Sequence, residues 1–459
     1  MGITKKLYEF FLLLRGDHRG RRERWRDGEI GIGQRTSYSE WHRNMYILMV
    51  SLGLVYVSMM MVMPFLPVYL QEIGVDNLGH LPVWLGVING APFLTTCLVS
   101  PLWGRLSDRW GRKVMIIRSG LGMAISTALM SLARSPWELL LFRLADGLFS
   151  GFMPASVALM AVSAPSGRTQ YALGMLQTGL VIGVTAGPLL GGWLSGIVGH
   201  RATFRIVAVA LLMVTLVVVF AVRETRGGYS TDEKQQYDRE GIFSQSLRFF
   251  RHRALRNLLF ISFLIPIALY GSMSFVTIFV KQHVASPAET VSWTGIILST
   301  AALAAGIASP IAGRFGDRWG SHKVLSVGLA GATVFLLLHA MATGVVFLWM
   351  LRIPLGLFMA GIQPSLGALL ARVSPQREFG AIYGVQSSAT SLGQGLGPVL
   401  LGLLAGLIGG VGGIQSVFIA SGLMALFTLI FFHFCVPKTV FTGEKGEGIV
   451  FKLKRFPPS

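Results

Sequence analysis

Apolar runs of about 20 residues recur along this chain, and each is long enough to cross a bilayer as a helix. We read twelve: near 46–70, 83–103, 114–133, 136–160, 172–197, 203–222, 258–280, 291–312, 324–343, 345–371, 381–408 and 414–436. Lipid offers backbone amides no hydrogen-bond partner, so only helices or closed barrels can cross it. The runs lack the alternation of barrel strands and therefore read as helices. Charged residues make up only 13% of the chain, against about 25% in soluble domains. The expected fold class is an all-α polytopic membrane protein.

A charged motif between the second and third runs repeats in the second half. Gly104-Arg105-Leu106-Ser107-Asp108-Arg109-Trp110-Gly111-Arg112-Lys113 returns as Gly313-Arg314-Phe315-Gly316-Asp317-Arg318-Trp319-Gly320-Ser321-His322-Lys323. Asp108 and Asp317 lie 209 positions apart (317 − 108). The offset stays at 209 or 210 for Trp84-Leu85-Gly86 with Trp293-Thr294-Gly295, for Arg143 and Gly147 with Arg352 and Gly356, and for Gly187-Pro188 with Gly397-Pro398. One offset held through separate elements marks a duplicated six-helix unit. Paired repeats suit a carrier whose halves rock about a central site.

The expected organisation is a basic N-terminal arm (1–44), a first six-helix bundle (45–222), a charged linker (223–257), a second bundle (258–436) and a polar tail (437–459). The formal net charge is +19. Most Lys and Arg fall in the tails, the linker and the loops of one side, whereas the opposite loops are short or acidic, as at Glu72 and Asp76. The positive-inside rule then puts both termini in the cytoplasm, and explains the charge better than nucleic-acid binding does. No cleavable signal peptide is expected. Cys97 and Cys435 lie in apolar segments, so neither a disulfide framework nor a metal site is expected, and no cofactor.

These residues resemble the major facilitator superfamily, specifically its twelve-span drug:proton antiporter branch. The loop pattern G-x-L-a-D-R-x-G-R-K is carried by Gly104, Leu106, Asp108, Arg109, Gly111, Arg112 and Lys113. The fifth-span pattern G-x-x-x-G-P-x-x-G-G is carried by Gly183, Gly187, Pro188, Gly191 and Gly192, and the fourth-span R-x-x-x-G by Arg143 and Gly147. Pro64 and Pro67 in the first span fit the branch too. The resemblance implies the major facilitator fold in a multi-pass bacterial inner-membrane protein. It also implies that the glycine face of span 5 packs between the halves and seals them against leakage.

The loop 104–113 is expected to be a tight turn whose charges latch the halves, with Asp108 accepting hydrogen bonds from a helix N-terminus or pairing with Arg109 or Arg112. Asp317 and Arg318 form a weaker second latch, because Ser321 replaces the Arg112 equivalent. Within span 4, Arg143 and Asp146 are three apart and share a helix face. An ionisable residue at that depth is costly and usually functional. Asp146 is expected to carry the proton, tuned by Arg143; a purely structural ion pair is the alternative. Span 1, where many relatives carry their coupling acid, has none between 46 and 70. Arg352 repeats Arg143, but Leu355 stands where Asp146 would recur, so coupling looks asymmetric.

Substrate contacts are expected from Tyr56, Met60, Phe152, Gln177, Tyr270, Phe275, Gln363 and Gln386, since methionine and aromatic walls with a few amides suit varied lipophilic guests. The leading reading is a proton-coupled exporter of such compounds, working as a monomer among membrane lipids with small-molecule substrate and protons as its partners. The alternative is a transporter of one metabolite: a sugar, siderophore or lysolipid. No zinc-protease or nucleotide-binding motif marks the chain as an enzyme or an ATP engine.

Overall fold

The computed structural model describes residues 32–75, 80–164, 169–224, 252–373 and 379–437. Most of the expected arm, most of the linker, the tail past Pro437, and Asp76 lie outside the described residues. The described residues form helices α1 (Ile32–Met61), α2 (Leu66–Glu72), α3 (Leu81–Trp110), α4 (Arg112–Met130), α5 (Pro136–Phe149), α6 (Phe152–Ser163), α7 (Thr169–Val198) and α8 (His200–Ala221) in the first half. The second half contributes α9 (Arg253–Ser274), α10 (Val276–Lys281), α11 (Pro287–Trp319), α12 (Ser321–His339), α13 (Val345–Met359), α14 (Ile362–Val373), α15 (Phe379–Ile408) and α16 (Gly410–Cys435). Among the described residues, eleven stretches are long and apolar enough to span a membrane. The remaining expected span, the fourth, is α5 and α6 in series, broken at Ser150–Gly151.

The breaks have local causes. Span 1 parts around Pro64, and Pro67 opens α2, where a missing amide is harmless. Gly151 has φ +124, a conformation that side chains disfavour. The carbonyls freed there are used: Trp103 Nε1–H donates to Leu148 O (2.8 Å) and Arg118 Nη2–H to Ser150 O (2.8 Å). α5 starts on a reciprocal cap. Ser135 Oγ accepts from the Glu138 amide (3.3 Å), and Glu138 Oε2 accepts from the Arg134 amide (2.8 Å).

Contrary to expectation, the repeated motif is not a turn throughout 104–113. Helix α3 continues to Trp110, and the reversal is confined to Gly111, at φ +100. Gly320 repeats this at φ +95. A single left-handed residue turns the chain between two long helices, which is why glycine recurs at both places.

Asn44 contacts Arg223 and Asn257 contacts Cys435, so one end of the molecule carries the beginnings and ends of both halves. At the opposite, far end, a single apolar core draws residues from both halves, including Leu66, Tyr69, Leu85, Phe275, Phe279 and Phe418. The other two cores each belong to one half. The halves meet along two related seams: α3 against α15, and α7 against α11. A Cβ on Gly86 would sit 2.2 Å from Pro398 O, and one on Gly90 2.2 Å from Gly395 O. In the second seam a Cβ on Gly295 would lie 2.6 Å from Pro188 O, and the Leu189 amide donates to Ser299 Oγ (3.1 Å). Toward the other end the same helices part: a Cβ on Gly174, Gly313 or Gly384 would meet nothing within 4 Å. The molecule is closed at its far end and cleft toward the end carrying Asn44 and Cys435.

Candidate functional site

Span 4 reaches the middle of the first half because Gly147 lets it press on span 2. A Cβ there would fall 2.1 Å from Pro92 O. Gly356 repeats the device against Ala301 O (2.3 Å). The close approach sets Arg143 and Asp146 beside Asn89, Pro92 and Phe93 of α3. Together with Ser58, Met59, Met60, Met63 and Thr127 they line a cavity of about 40 Å³, room for on the order of three waters.

Asp146 is buried, with 8% of its surface exposed. It does not pair with Arg143. Among the described residues the only acid–base contact within 4.0 Å is His200 Nδ1 with Glu72 Oε1, at 2.7 Å near the far end. Arg143 Nε finds no acceptor among the described residues. Three residues apart on a helix brings two side chains to one face, but both here turn to the cavity rather than to each other. The arrangement is a carboxylate and a guanidinium facing one small polar chamber.

Among the described residues the second half has no equivalent. Arg352 is buried and its Nε and Nη2 find no acceptor among the described residues. Between residues 252 and 437 the sequence holds only Glu289, Asp317 and Glu378 as acids; Glu289 and Asp317 stand in the first and last turns of α11, and Glu378 lies outside the described residues.

The carboxylate on the helix N-terminus after the motif is Glu224, from the end of span 6. Its Oε1 accepts from the Arg112 amide (2.8 Å) and its Oε2 from the Lys113 amide (3.0 Å), while Lys113 Nζ–H donates to Val219 O (2.7 Å). Negative charge is favoured at a helix N-terminus. Gly111 is needed twice over: a Cβ there would lie 2.9 Å from Glu224 Oε2. The side chains of Asp108, Arg109 and Asp317 lie outside the described residues, and Gly104 is described by its helical backbone alone. Arg318 is exposed in the last turn of α11.

The span-5 glycines divide. Gly183, Gly187 and Gly191 press on span 1 of their own half, where Cβ atoms would lie 2.5 Å from Gly53 O, 2.5 Å from Met60 Cβ and 2.1 Å from Met61 O. Only Gly192, 3.0 Å from Val291 O, and the Pro188 carbonyl meet the other half. The face expected between the halves is therefore mostly an internal seam of the first bundle. Spacing shows that glycines share a face but not which helix that face meets.

Of the eight expected substrate contacts, Met60 and Tyr270 line the cavity. Tyr56 is half-buried and its O–H donates to Met153 Sδ (3.3 Å). Gln177 and Gln363 are exposed, with Gln177 on α7 one turn from Val181, which faces Gly306 of α11. Gln386 is buried in the second half, outside the cavity wall. Phe152 and Phe275 are packed in cores, Phe152 in the first bundle and Phe275 in the far-end core under Gly402. Aromatic character alone does not separate a lining ring from a packed one. The cavity residues missed by sequence reading include Ser58, Asn89, Phe93 and Thr127. Asn89 carried a signal, a lone amide in an apolar span.

A model of the Major Facilitator Superfamily matches residues 48–293 and 258–454. The chain is 34% identical over 374 residues to a multi-drug resistance efflux pump PmrA homolog of Lactococcus lactis, covering 82% of this chain and 91% of that one. It is 32% identical over 394 residues to the multidrug resistance protein MdtG of Proteus mirabilis, covering 86% and 96%. Among solved structures, it resembles a bacterial homolog of the human lysosomal transporter Spinster in an inward-facing, unoccupied conformation, with TM-score 0.70, 17% identity, and coverage of 88% and 98%. The nucleoside transporter NupG is similar at TM-score 0.67 and 15% identity, covering 85% and 98%. At those identities the two structures speak to the fold alone.

Proposed function

The chain belongs to the Major Facilitator Superfamily, and from that premise we propose that it exports lipophilic compounds in exchange for protons. It is a multi-pass membrane transporter of small molecules, not an enzyme. A relative named as a multi-drug resistance efflux pump homolog supports the direction, and that one and a relative named as a multidrug resistance protein support the substrate class. In this reading residues 45–222 and 258–436 are the two moving bundles, joined by 223–257. The arm, linker and tail lie on the cytoplasmic side of a bacterial inner membrane, as their excess of Lys and Arg requires. The cleft then opens to the cytoplasm, and a monomer suffices.

One observation carries the coupling. Asp146 is the only carboxylate well inside a span, and it faces a chamber of about 40 Å³, too small for a drug. Drug-sized pockets need about 300 Å³ or more. The chamber therefore serves protons, and the substrate occupies the open cleft, bordered by Gln177 of span 5. Arg143 holds a positive charge beside Asp146 and favours release of the proton once the chamber opens to the cytoplasm. The charges of 104–113 and of Asp317 and Arg318 gate the cytoplasmic end.

The test is antiport. Purified protein in proteoliposomes carrying an imposed pH gradient should expel a lipophilic dye such as ethidium, with matching proton movement. Asp146→Asn should abolish both at normal protein levels. Dye-driven proton movement that survives in Asp146→Asn would refute the carrier role.

A further inference from the structure

The Asp146 chamber is built almost wholly by the first half, from α1, α3, α4, α5 and α8. One wall residue among those described comes from the second half: Tyr270 of α9. Its ring meets Phe93 of α3 edge to face, with centroids 5.1 Å apart and planes at 77°. We propose that Tyr270 is the lid of the proton chamber, a positioning residue that seals it from the far side whenever the far ends of the two halves are closed.

The mechanical argument follows from the seam beside it. Gly86 and Gly90 of α3 lie against the Pro398 and Gly395 carbonyls of α15 with no room for a methyl group. Phe93 continues the same face of α3 one turn beyond Gly90. Next to Tyr270, Gly271 packs on α15, where a Cβ would sit 2.6 Å from Leu401 Cδ1 and 3.1 Å from Gly397 C. Helices α9 and α15 therefore move as a unit. Opening the far end must draw α15 from α3, and Tyr270 leaves Phe93 with it. The lid then lifts in the one state in which Asp146 has to meet the far side. Proton access is tied to conformation by a ring, with no charge crossing between the halves.

This inference rests on the reading of Asp146 as proton carrier, and its test is separate from the antiport assay. Full-length protein is reconstituted into liposomes holding a pH-sensitive dye, without any transport substrate. A potassium diffusion potential, negative inside, drives proton entry. Wild type should leak little. Tyr270→Ala should leak several-fold faster, and Phe93→Ala should do likewise by removing the other face of the seal. Tyr270→Phe should stay at the wild-type level, because the ring edge makes the contact. Adding Asp146→Asn to Tyr270→Ala should return the leak to wild type. Tightness in both alanine variants overturns the lid. A leak that persists in the double variant also overturns it, since the path guarded would bypass Asp146. Neither result depends on whether dye-driven antiport is lost in Asp146→Asn alone.

Discussion

Replacing Gly90 with alanine should push the molecule out of its far-end-closed state without unfolding it. The added Cβ would lie 2.2 Å from Gly395 O and 2.9 Å from Val399 Cγ2, against an ordinary contact of 3.4–4 Å. Backbone cannot swing aside as a flexible side chain can, so α3 and α15 must separate by about 1 Å locally; overpacking of this kind costs about 1–3 kcal/mol. The seam exists only when the far ends touch, so the cost falls on that state alone. At about 1.4 kcal/mol per decade, the ratio of open to closed far ends should rise roughly fivefold to a hundredfold. Gly183→Ala is the control. Its Cβ would lie 2.5 Å from Gly53 O, but that contact is internal to the first half and persists in both states. It should lower thermal stability and leave the populations alone. Spin labels at exposed far-end positions, His80 in the first half and Ala285 in the second, would report the separation once Cys97 and Cys435 are replaced by serine. Gly90→Ala should enlarge the long-distance population. An unchanged distribution in a folded Gly90→Ala variant, or an equal shift in Gly183→Ala, refutes the assignment of the seams.

Glu224→Gln should weaken the anchor at the start of α4, because an amide has one acceptor oxygen for two backbone donors; a loss of about 1–3 kcal/mol is expected, read as a lower melting temperature and faster hydrogen exchange at Arg112 and Lys113. Phe152→Ala should cost about 3–5 kcal/mol in stability, with the range of exported compounds unchanged in the protein that folds. Met60→Ala, at the chamber wall, should instead alter coupling, seen as fewer protons moved per dye molecule in the vesicle assay, at smaller cost in stability. Ser135→Ala should remove the α5 cap at about 1 kcal/mol, detectable as a small drop in melting temperature with transport intact.

Much of this was legible in the chain. The lengths of the apolar runs, the constant offset of the repeat and the asymmetry between Asp146 and Leu355 are one-dimensional facts, and they led directly to paired bundles with a single internal acid. The helix breaks were less legible, since Pro64 and Gly151 sit inside runs whose hydropathy is continuous. Arg143 and Asp146 were legible as ionisable residues within an apolar span, and most of the chamber wall around them was not. Phe152 and Phe275 read like Phe93, yet two of the three are packed in cores and only the third borders the chamber.

What the sequence determined by itself is local or periodic: spans long enough for a bilayer, glycines where the backbone turns left-handed at Gly111 and Gly320, and one carboxylate placed where lipid would penalise it. What only the tertiary structure decided is partnership. Gly183 faces span 1 while Gly86 faces the other half; Glu224 of span 6 rests on the amides of Arg112 and Lys113; Arg143 and Asp146 share a chamber without touching. A residue's spacing sets the side of the helix it occupies, but its neighbour is set by how all the helices fill space at once, and that depends on contacts hundreds of residues apart.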